Sequence, residues 1–362
     1  MVRAVGVAAE ASPNSGAWVT PDYYFDPLSE GVQLNENTLI PDTISTRTGR
    51  RAFLTHQDSS GPVEFILDTT VASYFLSAVA GESATAVGVT TISLIPTANR
   101  KTLPSVSVTI NSLYFLRKIA GAGVKRVTIR SDGGPGNLPS IQVEFVGGSE
   151  TKDAPDANIN VTSFADAELG KVLANTTGIL FLADDDDVVT SSGSTGVIRT
   201  KSFEISIEPM FKEDPIIGLD GLDPETYIPE NWRVRVNVTI PNSAANAKWF
   251  ARYMGSEIET DGDGLLSAVT RVWDLLNVSS VSFPLQFKAY FEYSATYKLE
   301  IDVENMVIID PITYAESGKT ISDVTINLEA LHYDDTGVDK TFQAVITNSS
   351  DFTGALLPGD ET

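Results

Sequence analysis

The chain of 362 residues contains no cysteine, only two histidines and only four methionines. Without cysteine there is no disulfide framework, no thiolate metal ligand and no thiol nucleophile. With His56 and His332 alone, a histidine-rich metal centre or a Ser-His catalytic pair has few parts to draw on. Basic residues are scarce as well: 25 Lys and Arg stand against 48 Asp and Glu, for a formal charge of -23 and a pI near 4.3. Gripping nucleic acid through its phosphates needs clustered Lys and Arg, and no such patch is present. No apolar run approaches the ~20 residues of a membrane-spanning helix. The apolar stretch in MVRAVGVAAEASPNSG is too short for a signal peptide, so the expectation is a chain made in the cytoplasm that meets no membrane.

What is abundant is acid. A charge this far from zero keeps a protein soluble and strains its compact state by self-repulsion. In molar salt the Debye length falls to about 3 Å and the strain largely disappears, so the composition suits a high-salt habitat. Hydrophobic residues make up 42% of the chain, ample for a core, and the length suggests two domains of roughly 150 residues each.

Most of the sequence alternates apolar and polar residues, which predicts strands with one buried and one wetted face. They fall at 63–67, 105–110, 125–130, 141–145, 203–208, 232–240, 285–293, 298–304 and 323–331. Turn chemistry is read at DSSGP (58–62) and SDGGPGN (131–137). Helices are few. TTVASYFLSAVAGE sets Val71, Phe75 and Val79 four apart, behind a cap at Asp68 or Thr69 and before Gly81. NSAANAKWFARYMGSE has Ser243 as cap, Gly255 as stop, and Trp249, Phe250 and Met254 on its apolar side. A third helix, near 263–277, is predicted from Leu265, Val269, Val272 and Leu276 behind Asp263.

Laid side by side, PVEFILDTTVASYFLSAVAGE and VRVNVTIPNSAANAKWFARYMGSE each run from a strand into a helix that ends in Gly and Glu. Upstream of each lie a strand and a long loop, and downstream of each lie antiparallel strands around a glycine-containing loop. The order strand, long loop, strand, short helix, antiparallel strands therefore occurs twice, which predicts two β-rich units. Their expected bounds are 1–163 and 164–362, the second with the inserted helix near 263–277. The division falls in the polar stretch GGSETKDAPDANINVTS, 147–163.

At this level the chain resembles the major tail tube proteins of viruses with long, non-contractile tails. The resemblance is carried by GVAAEASPNSGAWVTPDYYFDPLSEGVQL, then SSGPVEFILDTTVASYFLSAVAGE, then LPSVSVTINSLYFLRKIAGAGVKRVTIRSDGGPGNLPSIQVEFVGG, in that order. It implies a mainly β fold of tandem antiparallel β-sandwich or barrel units, each flanked by a short α-helix. It further implies a structural virion protein, neither an enzyme nor a cofactor binder, that closes into rings and stacks into the conduit for genome ejection. Two units per chain favour a three-subunit ring with pseudo-sixfold symmetry over a hexamer. The implied partners are further copies, the tape measure in the lumen, the tail terminator, the distal tail protein, and viral DNA that passes without specific binding. The acidity points to a virus of a halophilic, archaeal host.

The two long loops differ in sign. TISTRTGRRAFLTHQ carries Arg47, Arg50 and Arg51 with no carboxylate, whereas FKEDPIIGLDGLDPETYIPE carries Glu213, Asp214, Asp220, Asp223, Glu225 and Glu230. Opposite charge could fix the register of stacked rings or neighbouring subunits, so Arg47, Arg50, Arg51, Asp214, Asp220 and Asp223 are the candidate contacts. Two merely solvated loops are the plainer alternative, since exposed pairs contribute only about 0–1 kcal/mol.

Other motifs carry little chemistry. FLADDDDVVT places four repelling aspartates, 184–187, between short apolar runs, which suits an exposed turn with diffuse cations. Counting twelve from Asp261 reaches Val272, not the glutamate a calcium loop needs. SDGGPGN lacks the Gly-Lys-Ser/Thr of a phosphate loop. The competing functional class is an acidic two-domain β-sandwich that binds carbohydrate or calcium at a cell surface. A glycosidase-like hydrolase is weaker, because no catalytic frame is present.

Overall fold

A computed structural model describes residues 2–10, 18–21, 23–39, 53–86, 88–94, 103–132, 137–157, 159, 172–182, 198–211, 229–241, 256–260, 266–271, 285–310, 323–331, 334–335, 338–339 and 341–347. The N-terminal half contains β1 (Val2–Ala9), β2 (Tyr23–Phe25), β3 (Pro27–Glu30), β4 (Gln33–Leu39), β5 (Phe53–Ile66), α1 (Thr69–Ala80), β6 (Gly81–Ala86), β7 (Val89–Leu94), β8 (Val106–Ser112), β9 (Leu116–Asp132), β10 (Ser140–Val146) and β11 (Ser149–Asp153). The C-terminal half contains β12 (Asn175–Leu182), β13 (Ile198–Arg199), β14 (Ser202–Phe211), β15 (Pro229–Ile240), β16 (Ser256–Thr260), β17 (Leu266–Arg271), β18 (Leu285–Ser294), β19 (Tyr297–Ile308), β20 (Val324–Ala330), β21 (Asp334–Asp335), β22 (Val338–Asp339) and β23 (Phe342–Thr347). The protein is mainly β, and each strand predicted from alternation falls within one of these elements or overlaps it.

Burial follows the alternation. Ile141, Val143 and Phe145 of β10, Phe203, Ile205 and Ile207 of β14, and Leu299, Ile301 and Val303 of β19 all point into the core. All the ladders are antiparallel, and 19 strands form one connected system. In the N-terminal half β1, β8, β9, β10 and β5 are joined in that order, with β3 and β4 along the far edge of β5. In the C-terminal half β12, β18, β19, β20 and β15 are joined in that order, with β14 along β15. Two further ladders tie the halves together: β9 with β14, from Val127 opposite Ile207 to Asp132 opposite Ser202, and β7 with β23.

The long strand β9 turns a corner. Its first part lies between β8 and β11, and its second between β10 and β14. Gly121 at φ 73° and, across the ladder, Gly147 at φ 70° and Gly148 at φ 93° make the bend, in a region of backbone space that side chains disfavour.

Asp68 caps α1, its Oδ1 accepting the Val71 N–H at 2.8 Å. The sequence reading expects a flanking helix with one apolar side, but all twelve residues of α1 are buried. The helix packs on β6, β7, β9 and β10 of its own half and on β14, β19 and β23 of the other. Ala72, Ser73, Ser77, Ala78 and Ala80, small residues between the large ones, let strands approach from every side. Phe75 meets Phe65 at 5.5 Å, Phe145 at 6.0 Å and Phe25 at 6.1 Å, each buried aromatic contributing roughly 1.5–3 kcal/mol.

Two local expectations are corrected. Leu266–Arg271, expected inside a helix near 263–277, is instead β17, paired with β16 as a separate hairpin. Val269 and Thr270 are β-branched, and an antiparallel partner outweighs a weak helical period. DSSGP, expected as a turn, lies inside continuous β5, where β4 pairs with Asp58 to Ser60 and β10 with Gly61 and Pro62. Gly61 at φ 146° absorbs the bend. The second predicted helix, the boundary at 163 and the aspartate run 184–187 lie outside the described residues.

Candidate functional site

The most organised polar surface is the outward face of β10, β9, β14, β15 and β20. Alternate residues on each strand point to one side of a sheet, and here the sign of charge changes from strand to strand. Lys125 and Arg126 on β9 reach Glu144 of β10 at 3.1 and 3.8 Å. Across the other edge of β9, Arg126 reaches Glu208 of β14 at 3.1 Å and Arg130 reaches Glu204 at 2.6 Å. On β15, Arg235 and Arg233 converge on Glu329 of β20 at 2.8 and 3.9 Å. Lys201 pairs with Asp323 at the margin.

The pairing extends beyond this face. Each Lys and Arg whose side chain is described, from Arg117 to Lys298, lies within ion-pair distance of a carboxylate. Exposed pairs of this kind contribute little stability. Their consequence is electrostatic: the cations are already neutralised locally, so none is left over to anchor a phosphate.

Behind the corner of β9, Arg117 makes a bidentate pair with Glu150, Nε to Oε1 at 2.9 Å and Nη2 to Oε2 at 2.8 Å. It also donates to the Val32 carbonyl at 2.7 Å and lies 3.4 Å from Glu30. Burial pushes the Glu150 carboxyl up, but bonds from Arg117 and Ser59 prevail and hold it below the usual range. Glu10, 1% exposed, accepts from Ser105, Ser107 and the Gly121 N–H. These buried charges are satisfied by fixed donors and pin β1, β4 and β11 to the corner.

A shallow depression of about 210 Å³ lies on β18, β19 and β23, lined by Lys288, Tyr290, Glu300, Asp302 and Gln343. Lys288 pairs with Asp302 at 2.8 Å. Burial raises the Asp302 carboxyl against the pull of Lys288; burial lowers Lys288, and the Asp302 bond more than offsets it. The pair neutralises itself. Among the described residues no group of three or more His, Asp or Glu is placed to hold a metal ion, and no helix is long and apolar enough to cross a membrane.

Leu113, Tyr114 and Phe115 stand exposed at the β8–β9 turn, with Tyr114 at 79%. The turn is held by Ser112, whose hydroxyl donates to the Phe115 carbonyl at 2.8 Å and accepts the Phe115 N–H at 3.1 Å. Tyr293 is exposed at the β18–β19 turn.

The predicted contact residues Arg47, Arg50, Arg51, Asp214, Asp220 and Asp223 lie outside the described residues. Their flanking strands are antiparallel partners in each case, β4 with β5 and β14 with β15. The alternating-charge face was missed in the sequence reading, although KRVTIR, FEISIE and RVRV each carry one sign of charge. Comparison of the sequence with protein-family models and with curated proteins finds no match.

Proposed function

We propose that this chain is a structural subunit of a virus tail tube. Three copies, each contributing two equivalent units, close into a ring with pseudo-sixfold symmetry, and rings stack into the conduit through which the genome leaves. The observation that carries the reading is the join between the halves. The N-terminal half gives β7 and β9, and the C-terminal half gives β23 and β14. The two sides of that join are different surfaces, and a heterologous contact, when repeated, closes a ring or grows a filament rather than a two-fold dimer.

The ion-paired face is the candidate lumen wall. A wall that passes DNA must not hold it, and a polar surface whose cations are already matched offers phosphates no counter-ion exchange. The exposed turns at Leu113–Phe115 and Tyr293, together with the oppositely charged loops at Arg47, Arg50, Arg51 and at Asp214, Asp220, Asp223, are the candidate contacts between rings.

Negative-stain electron microscopy of the purified protein in molar salt tests this directly. Rings or tubes with a central channel, and a single-ring mass of three chains, are the expected result. A strictly monodisperse monomer that retains a glycan or calcium ligand would instead favour a binding module. Reversing Arg50 and Arg51 to Glu is expected to shorten or abolish tubes while leaving single rings.

A further inference from the structure

Three strands of the C-terminal half set two rows of side chains on one outward face. Lys288 of β18 lies opposite Asp302 of β19, which lies opposite Gln343 of β23. Two residues along each strand, Tyr290, Glu300 and Val345 are opposite one another in the same way. Alternate residues share one side of a pleated sheet, so all six line the depression of about 210 Å³. Neighbouring strands run about 4.8 Å apart, which brings the three heads of a row within reach of the substituents of one six-membered ring.

The chemistry of these rows excludes most ligands. Asp302 already holds Lys288 at 2.8 Å, and Glu300 holds Lys298 at 3.2 Å. A metal ion would have to displace a lysine from one of these carboxylates, and an anion would meet both of them. A wholly apolar ligand would cover the same charged groups and return no hydrogen bond to any, which is costly for each.

A neutral ligand rich in hydroxyls meets every condition. The ammonium of Lys288 only donates, an ionised Asp302 only accepts, and the Gln343 amide does both. Asp302 Oδ1 is buried with no hydrogen-bond partner, so this carboxylate has acceptor capacity that Lys288 does not use. Burial raises the Tyr290 phenol against the pull of Lys288, which keeps it a neutral hydroxyl, and its ring offers a flat apolar side. A ligand hydroxyl donates to a carboxylate and accepts from an ammonium through the same oxygen. We propose that this depression binds one neutral sugar unit, its hydroxyls bridging Lys288, Asp302 and Gln343 and its ring lying against Tyr290. The site lies apart from the ion-paired face and is complete in a single chain, whether or not rings form.

The test uses the full chain in molar salt. Saturation-transfer difference NMR reads the ligand's protons and suits a monomer or a ring equally. It is run with the methyl glycosides of glucose, galactose and mannose, and with glucuronate as the anionic comparison. A site this shallow should hold one ring in the millimolar range, so each is offered at ~20 mM. At least one neutral glycoside is expected to receive saturation, and glucuronate much less. Gln343→Ala and Tyr290→Ala should each weaken binding about tenfold, whereas Leu138→Ala, at an exposed position on the other half, should leave it unchanged. Gln343 is exposed, so its variant decides the matter if Tyr290→Ala lowers the urea midpoint. Saturation of none of the three glycosides, glucuronate saturated as strongly as they are, or binding unchanged in Gln343→Ala overturns the proposal and leaves the ring reading untouched.

Discussion

The indole Nε1 of Trp232 donates to the carbonyl of Val79 at 3.0 Å, so a strand of the C-terminal half closes the last turn of a helix from the N-terminal half. The final carbonyls of a helix have no partner within it, and here tertiary structure supplies one. Trp232→Phe keeps most of the packing and leaves that carbonyl unsatisfied. A loss of about 1–3 kcal/mol in urea unfolding is expected. A fragment ending at residue 163 would lose this bond and the cover over β7 and β9. It should lack a cooperative transition.

Arg117 and Glu150 form the second internal dependency. Glu150 has a side chain only 1% exposed, so Arg117→Met strands a buried charge, at a cost of about 3–5 kcal/mol. Because the folded Glu150 is held below its ordinary 4.5, the stabilisation is present above that value. It is lost as pH falls through the lowered folded value. The deficit of Arg117→Met against the parent should therefore be largest near neutrality and shrink in strong acid, as read from urea midpoints across pH.

Asp68 behaves in the opposite sense. Burial raises its carboxyl from 3.8 to about 6, against the lowering bonds from Val71 and Thr70 N–H. The folded state then binds the proton more tightly than the unfolded chain, so this group costs stability as pH rises from 3.8 to about 6. Asp68→Asn retains the cap oxygen without the charge. It is expected to gain roughly 1–3 kcal/mol on the parent at pH 7 and to lose that advantage below pH 4.

The ion-paired face predicts how the protein treats a polyanion. The parent should show no retained duplex DNA at about 0.15 M salt, because its described cations are matched. Replacing Glu144, Glu204 and Glu208 by Lys frees Lys125, Arg126 and Arg130 and puts three further cations where three carboxylates stood. That variant should bind duplex DNA with a log–log salt slope near -0.9 per phosphate neutralised. Binding by the parent at the same salt would remove the conduit wall from this face.

Gly61 sits where β5 passes from one partner set to another. Its φ is 146°, and a Cβ there would lie 2.4 Å from the Gly31 carbonyl oxygen. Gly61→Ala should cost at least about 1–3 kcal/mol, measurable by thermal unfolding. A neutral result would mean that the β3–β5 edge can shift to make room.

Alternation made the strands legible: VEFIL, IQVEF and FEISIE each bury every second residue in the structure as they do on paper, because a pleated strand has a period of two whatever its neighbours. Asp68 and the Thr69 helix were legible for a similarly local reason, a cap followed by residues four apart. Reading went astray where local signals competed with partners. DSSGP is made of turn residues, yet β4 and β10 hold it in a strand. LLSAVT has a faint helical period, yet β16 draws it into a hairpin. The burial of α1 on all sides was equally out of reach, since its Ser and Ala residues look like a wet face until strands from the other half arrive.

The sequence by itself determined the acid excess, the absence of thiols and the strand periods, all of which depend on residue type and spacing alone. Tertiary structure decided which strands lie side by side. That alone converts KRVTIR, FEISIE and RVRV from separate charged strands into a face where each cation meets a carboxylate. It also covers β7 with β23. The reason is physical: a ladder can form between any two extended segments, so pairing is settled by chain closure and core packing between segments distant in the chain.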